Sequence, residues 1–352
     1  MTGFGSDPLL VETAERLFRS TCTFEAVEHA EGERWAGAVW DALAEAGFPW
    51  VSVPEAAGGS GGSLVDAAAL LRAAGAVGAP VPLAETGLLA GWLLASAGLA
   101  LPEGPATVIP EASCVSLADG RVRGVATVAW AERAERIVAC VADGDGWRIV
   151  SLRPDQLDIT PGANMAGEPR DTVTIDVTLA DCESAAAPVG VDGDELARRG
   201  SLSRIVLAAG AIESMTQLAV DYTSQRRQFG KPVASFQAVQ QHLVHSAQFS
   251  VKASMAAALA VRAMAGESAS SSQFALSAAR VVVDDASVRA TRAVHQAHGA
   301  MGVTREYPLH HLSRRLWSWR HEYRPAARWK QELATSALAA GSDGYFALIT
   351  GG

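Results

Sequence analysis

Two short stretches carry residues whose types and spacing suit chemistry at an anionic ligand. The first, RRQFGKPVASFQ, opens at Arg226 and sets two guanidiniums, Gln228, Phe229 and Gly230 ahead of a helical run. A guanidinium fork grips phosphate or carboxylate oxygens in pairs, and a glycine lets the backbone approach closely. The same residues also suit a solvated turn between two helices, so residue types alone leave both readings open. The second stretch, QAHGAMG, places Gln296, Gly299, Ala300 and Gly302 where little or no side chain covers the backbone amides. Such amides can face an anion or simply end a helix.

Other reactive types carry less. His310 and His311 are neighbours on a helix, where adjacent side chains point apart, and no carboxylate spacing accompanies them, so no metal site is expected. RRLWSWRHEYR mixes cations with aromatics and reads as an amphipathic helix pressing its tryptophans onto a bundle. GGSGG lacks the Lys-Ser/Thr of a phosphate loop and reads as a turn.

The elements that must position these residues fall into three segments. Residues 1–101 are read as an N-terminal helical domain. LLVETAERLFRSTC and GERWAGAVWDALAEAGF have helical apolar spacing, and GGSLVDAAALLRAAGAVG is expected to start at a Ser63 cap and stop at Gly75. LAETGLLAGWLLASAGL is apolar nearly all round and should be buried. Residues 102–192 alternate in the strand manner around Asp119-Gly120 and Asp143-Gly144, predicting a compact antiparallel β-domain. Residues 193–352 return to long helical runs joined by short connections, as in a four-helix bundle. The fold class is α+β and multidomain.

Bulk properties narrow the partners. The 352 residues suffice for two or three domains, and 49% are apolar against 19% charged. A net charge of -9 argues against nucleic acid as a partner. No uncharged apolar run reaches about twenty residues, so no membrane span is predicted. The first residues lack a basic-then-apolar signal, and the four cysteines form no CxxC, so a cytoplasmic, reduced protein is expected.

With this layout, VPEAAGGSGGS, DGRVRGVATVAWAERAERIVACV, RRQFGKPVASFQ and QAHGAMGVTREYPLHHLSRR stand in order in matching secondary structure. Together they resemble the acyl-CoA dehydrogenase family. That resemblance implies FAD, an acyl-CoA or other acyl-thioester substrate, an electron-transfer acceptor and a dimer or tetramer built on the C-terminal bundles. It implies that Arg226, Gln228, Phe229 and Gly230, with Gln296, Gly299, Ala300 and Gly302, reach the FAD of a neighbouring subunit. Val128 and Ala129 would lie on the strand that touches the chain's own flavin.

Two departures from the family pattern matter. The family's glutamate base lies at one of two places, and here one reads Gly200 or Ser203 while the other lacks its Glu-Gly-Thr. Glu322 is the nearest carboxylate to the second place. Arg320, His321 and Arg324 surround it in sequence, and cations weaken a carboxylate as a base. Glu213 and Glu306 read as structural. In the β-domain, the family's Leu-Thr-Glu-Pro segment is missing, and the hydroxyl that bonds the flavin gives way to Ala129. Elements serving a neighbour's FAD are kept, and those serving the chain's own are weakened. The chain therefore resembles the base-lacking subunit of actinobacterial α2β2 acyl-CoA dehydrogenases. Two further readings stay open: a self-sufficient homo-oligomeric flavoenzyme, and a flavin-free scaffold or acyl-thioester-binding subunit.

Overall fold

A computed structural model describes residues 4–266 and 269–350. The N-terminal segment holds α1 (Pro8–Thr21), α2 (Phe24–Glu33), α3 (Gly37–Glu45) and α4 (Leu64–Val77). A wide-wound helical stretch, Ala84–Gly91, then runs into α5 (Trp92–Ser96), and its residues are buried as their all-round apolarity predicts. Asp7 and Thr23 cap α1 and α2. Ser63 caps α4 in a reciprocal box with Asp66.

Two corrections to the sequence reading arise here. GERWAGAVWDALAEAGF is not one helix, because the chain turns at Arg34, in the left-handed region, before α3 starts. Helix α4 passes Gly75 and stops at Gly78 (φ 63). Gly75 serves packing instead. A Cβ there would lie 2.1 Å from the Leu207 carbonyl oxygen, and one at Gly210 would lie 2.1 Å from that of Arg72. The two helices thus cross at backbone contact. Gly75→Ala gains about 1 kcal/mol of helix propensity. It must also push the helices apart, and overpacking of this kind typically costs about 1–3 kcal/mol. A net loss of stability is expected, read as a lower urea midpoint.

The middle segment holds two four-stranded sheets. One runs β1 (Ala106–Val108), β4 (Arg136–Asp143), β5 (Gly146–Leu152), β8 (Glu183–Ala186). The other runs β2 (Val115–Ala118), β3 (Arg121–Ala129), β7 (Arg170–Thr178), β6 (Asp158–Thr160). Asp119 and Gly120 both take positive φ in the β2–β3 turn, the backbone that a two-residue hairpin requires. The domain is not wholly antiparallel: β1 pairs parallel with β4. Alternating residues such as Val122, Val128, Ile137, Val150, Val173 and Ile175 fill the core between the sheets.

The C-terminal segment is α6 (Gly193–Gln225), a short hairpin of β9 (Arg227–Gln228) and β10 (Lys231–Pro232), then α7 (Gln237–Ala265), α8 (Ala269–His298), α9 (Leu309–Trp319) and α10 (Ala326–Thr350). Its core is continuous with that of the N-terminal helices and takes in Ala106, Val108, Val138, Cys140 and Ile149 from one face of the β1–β4–β5 sheet, while the space between the two sheets is a second core. In the tryptophan-rich run, Trp319 is buried but Trp317 faces outward beneath Arg320. No helix among the described residues is long and apolar enough to cross a membrane.

Candidate functional site

Strand β3 delivers Val128 and Ala129 to the place where the three segments meet. Both are buried, and Ala129 pairs with Arg170 on β7. The Ala129 carbonyl accepts a 2.7 Å hydrogen bond from Thr107 Oγ1. The chain then turns through Trp130 in the left-handed region (φ 50), and this ring lies beneath the Arg170 guanidinium at 5.0 Å.

Arg170 donates to Glu322 Oε1 at 2.7 Å and to Glu168 at 3.3 Å. Arg204, from the buried face of α6, donates to Glu322 Oε2 at 2.6 Å and to Glu85 at 2.5 Å. Glu168 also accepts from the Trp319 indole at 3.0 Å and lies 3.4 Å from Arg315, which approaches Glu31 at 3.8 Å. Glu85, Arg204, Glu322, Arg170, Glu168, Arg315 and Glu31 therefore form an alternating run of charge through the interior of all three segments. Each ion is tolerated there because opposite charges flank it.

The titration behaviour follows. Burial alone would raise the Glu322 carboxyl, but Arg170 and Arg204 hold it down at about 2. The Arg204 guanidinium is held above its ordinary value despite burial, chiefly by Glu85 and Glu322. A carboxylate with both oxygens committed to arginines is a very weak base.

The ion pairs and Trp130 leave a cavity of about 20 Å³, bordered by Leu83, Glu85, Trp130, Arg170, Arg204 and Trp319. That is room for about one water, against roughly 300–1,000 Å³ for small-molecule and cofactor sites. Neither an isoalloxazine nor an acyl chain fits in that space, which Val128 and Ala129 do not border. Gly200, at one family position of the base, is closed off too: a Cβ there would lie 2.0 Å from the Tyr323 ring. Glu213 pairs with Arg72, as a structural glutamate would.

The cations around Glu322 are not those its sequence neighbourhood suggests. Arg320 lies over Trp317 and Arg324 pairs with Asp194 and Glu332, while Arg170 and Arg204 come from β7 and α6. Sequence reading missed Arg204 and Glu85. The available signal was a single charge inside an otherwise apolar run, in SLSRIVLAAGAI and LAETGLLAGWLL.

The second group of residues gathers at one end of the bundle. Tyr222, near the end of α6, stacks on His298 at 4.8 Å, and Tyr307 closes on both rings. This brings the β9–β10 hairpin and the Gly299–Val303 turn to the same end. Arg226, Gln228, Phe229 and Gly230 are exposed, and so are Gln296, Gly299 and Ala300; Gly302 alone is buried. Phe229 is 91% exposed and adopts positive φ (49), as does Gly230 (80). Val128 and Ala129 do not join this cluster; Val128 lies in the β-domain core and Ala129 is buried next to it.

The histidine pair departs from expectation. The rings of His310 and His311 lie 4.0 Å apart, and Glu28 of α2 faces them.

Comparison with known proteins agrees with this architecture. Residues 7–100 match the family model for the acyl-CoA dehydrogenase N-terminal domain, and residues 198–319 match that for the C-terminal domain. The chain is 31% identical over 303 residues to acyl-CoA dehydrogenase FadE34 of Mycobacterium tuberculosis, covering 82% of this chain but only 40% of that relative's length. It is 28% identical over 303 residues to FadE28 of the same organism, covering 77% of this chain and 84% of the relative. Among solved structures, the ChsE4-ChsE5 complex from Mycobacterium tuberculosis superposes with a TM-score of 0.84 at 20% identity, covering 96% of this chain and 98% of that one. The Tcur3481-Tcur3483 steroid ACAD G363A variant gives 0.83 at 22% identity, covering 95% and 98%. With both terminal domains matched and the whole architecture shared, the chain belongs to the acyl-CoA dehydrogenase family, a class of FAD-dependent oxidoreductases.

Proposed function

We propose that this chain is the non-catalytic half of an α2β2 acyl-thioester dehydrogenase. It pairs with a second acyl-CoA dehydrogenase-like subunit, which holds FAD and the acyl thioester in its own cleft and supplies the base. When bound there, FAD accepts the hydride of an α,β-desaturation, and an electron-transfer acceptor takes the electrons onward. This chain lends donors to that FAD across the interface: Arg226 and Gln228 for oxygens of the pyrophosphate, Phe229 as an apolar face, and the amides beside Gly299 and Ala300.

The observation that carries the reading is the filled cleft, in which Arg170, Glu322 and Arg204 occupy the junction of the three segments. The exposed end of the bundle supports it, since an aromatic ring 91% exposed on a cationic hairpin suits a contact with another subunit. An assembly face is at hand as well: a groove of about 1020 Å³ between α7, α8 and α10 carries the exposed Met255, Leu259 and Val282. Both two-component structures that resemble the chain fit such an assembly. One of them is a steroid ACAD, which favours a bulky acyl group.

Visible absorbance tests the reading. The chain expressed alone should purify without flavin, and the complex co-expressed with its partner subunit should be yellow. Glu322→Gln, in the flavin-loaded complex, should keep activity within about tenfold, because a paired structural carboxylate takes no proton in the reaction. Bound flavin in the chain alone, or a thousandfold loss in Glu322→Gln with flavin retained, would overturn it. No flavin in either preparation would leave a scaffold role.

A further inference from the structure

We infer that Glu28, His310 and His311 form a divalent-metal site of the Zn²⁺ type, which clamps α2 onto the start of α9. The site is distinct from the filled cleft and from the exposed hairpin.

The ligand atoms come together from two elements far apart in sequence. One carboxylate oxygen of Glu28 and one ring nitrogen from each histidine all lie within 4.8 Å of one another. His311 Nε2 stands 4.0 Å from Glu28 Oε2. Ligand atoms around a tetrahedral Zn²⁺ sit about 3.4 Å apart for bonds of about 2.0–2.1 Å. Small side-chain rotations close the difference.

The surroundings leave the right atoms free. His311 Nδ1 is 2.9 Å from Glu31 Oε1, and His310 Nδ1 is 2.8 Å from the Tyr307 carbonyl oxygen. Each ring can therefore donate its Nδ1–H outward, which fixes the tautomer with a bare Nε2. This is the arrangement by which carboxylates and carbonyls orient metal-binding histidines. His311 is 3% exposed, and its Nε2 is buried without a hydrogen-bond partner. An orphaned polar atom at that depth costs stability unless something meets it. Phe24 packs edge-on against His310 and tilted against His311, restricting both rings.

Nearby cations do not block the site. Arg314 and Arg315 are engaged by Glu31, and Arg315 by Glu168 as well. Arg305 takes the other oxygen of Glu28, Oε1, at 2.8 Å, from a side chain that is 82% exposed. Glu28 thus turns Oε2 toward the histidines. Two imidazoles and one carboxylate suit Zn²⁺, Co²⁺ or Ni²⁺ better than Ca²⁺ or Mg²⁺, which prefer oxygen alone. Three protein ligands leave a fourth position for water.

Co²⁺ is the probe. Tag-free protein, stripped with a chelator, should bind one Co²⁺ per chain and develop the visible d–d bands of four-coordinate cobalt, and Zn²⁺ should abolish them. Zn²⁺ should also raise the melting temperature, since a ligand that binds only the folded state stabilises it. Glu28→Gln and His310→Gln, both at partly exposed positions, should each weaken Co²⁺ binding at least about tenfold and remove the Zn²⁺-dependent rise. A folded wild-type chain with no cobalt spectrum at equimolar metal would overturn the inference. So would an unchanged isotherm in both variants.

Discussion

Arg204→Met should destabilise the chain by about 3–5 kcal/mol, the usual cost of breaking a buried pair from one side. The arginine serves two carboxylates at once, Glu85 and Glu322, and its own side chain is nearly inaccessible. Methionine fills most of the volume but leaves Glu85 buried with its partner gone. The double variant Arg204→Met/Glu85→Leu should recover part of the loss, because it removes the stranded charge as well. Urea denaturation monitored by circular dichroism measures both. A change below about 1 kcal/mol in the single variant would mean that the ion-pair run contributes little. The same run sets an acid limit. Glu322 and Glu31 are each lowered from 4.5 to about 2, so their contribution is complete above about pH 4.5 and fades as the pH falls toward 2. For Glu322 this amounts to roughly 3 kcal/mol, and Glu322→Gln should flatten the stability curve in that window.

Arg226→Ala should weaken FAD binding by the assembled complex about tenfold or more. A charge-assisted hydrogen bond to a phosphate oxygen is worth roughly 1.5–3 kcal/mol, and about 1.4 kcal/mol is a factor of ten. The fold should be indifferent to the change, because the local hydrogen bonds of Arg226 use its backbone: its N–H donates to Tyr222 and its carbonyl accepts from Val233. Flavin retained through gel filtration, with a fluorescence titration of the stripped complex, gives the number. Unchanged affinity in an intact complex would refute the cross-subunit role of the hairpin, while the filled cleft would stand untouched.

Much of the fold was legible because its signals are local. The Ser63 cap, the Asp119-Gly120 turn and the alternation of β7 each depend on residues within a few positions. Gly75 misled for the same reason. A glycine at the end of an apolar run looks like a stop, and only the Leu207 carbonyl across the helix crossing shows its purpose. The cleft was the least legible part. Arg204 meets Glu85 and Glu322 across 119 and 118 positions, and Arg170 meets Glu322 across 152. No spacing rule joins residues so far apart. The sequence could report that no glutamate stands at two places of the family pattern, but not that ion pairs join β7, α6 and the residues after α9. Likewise, nothing near His310 and His311 announces Glu28, because the carboxylate arrives on another helix.

The filled cleft also constrains how such a protein can change over generations. In an ordinary binding pocket, single substitutions adjust shape by small steps, each close to neutral. Here the space is held by mutually dependent charges. Losing Arg170 alone leaves one oxygen of Glu322 without its partner, losing Glu322 alone leaves two guanidiniums facing each other, and losing Arg204 alone exposes Glu85 to an apolar interior. Each first step back toward an open pocket crosses a valley of about 3–5 kcal/mol, comparable to much of the stability of a typical domain. Reopening requires several coordinated substitutions, while the surface hairpin remains free to drift with whatever it touches. Once the interior has closed in this manner, selection can refine the chain's surface far more readily than it can reopen the space between its three segments.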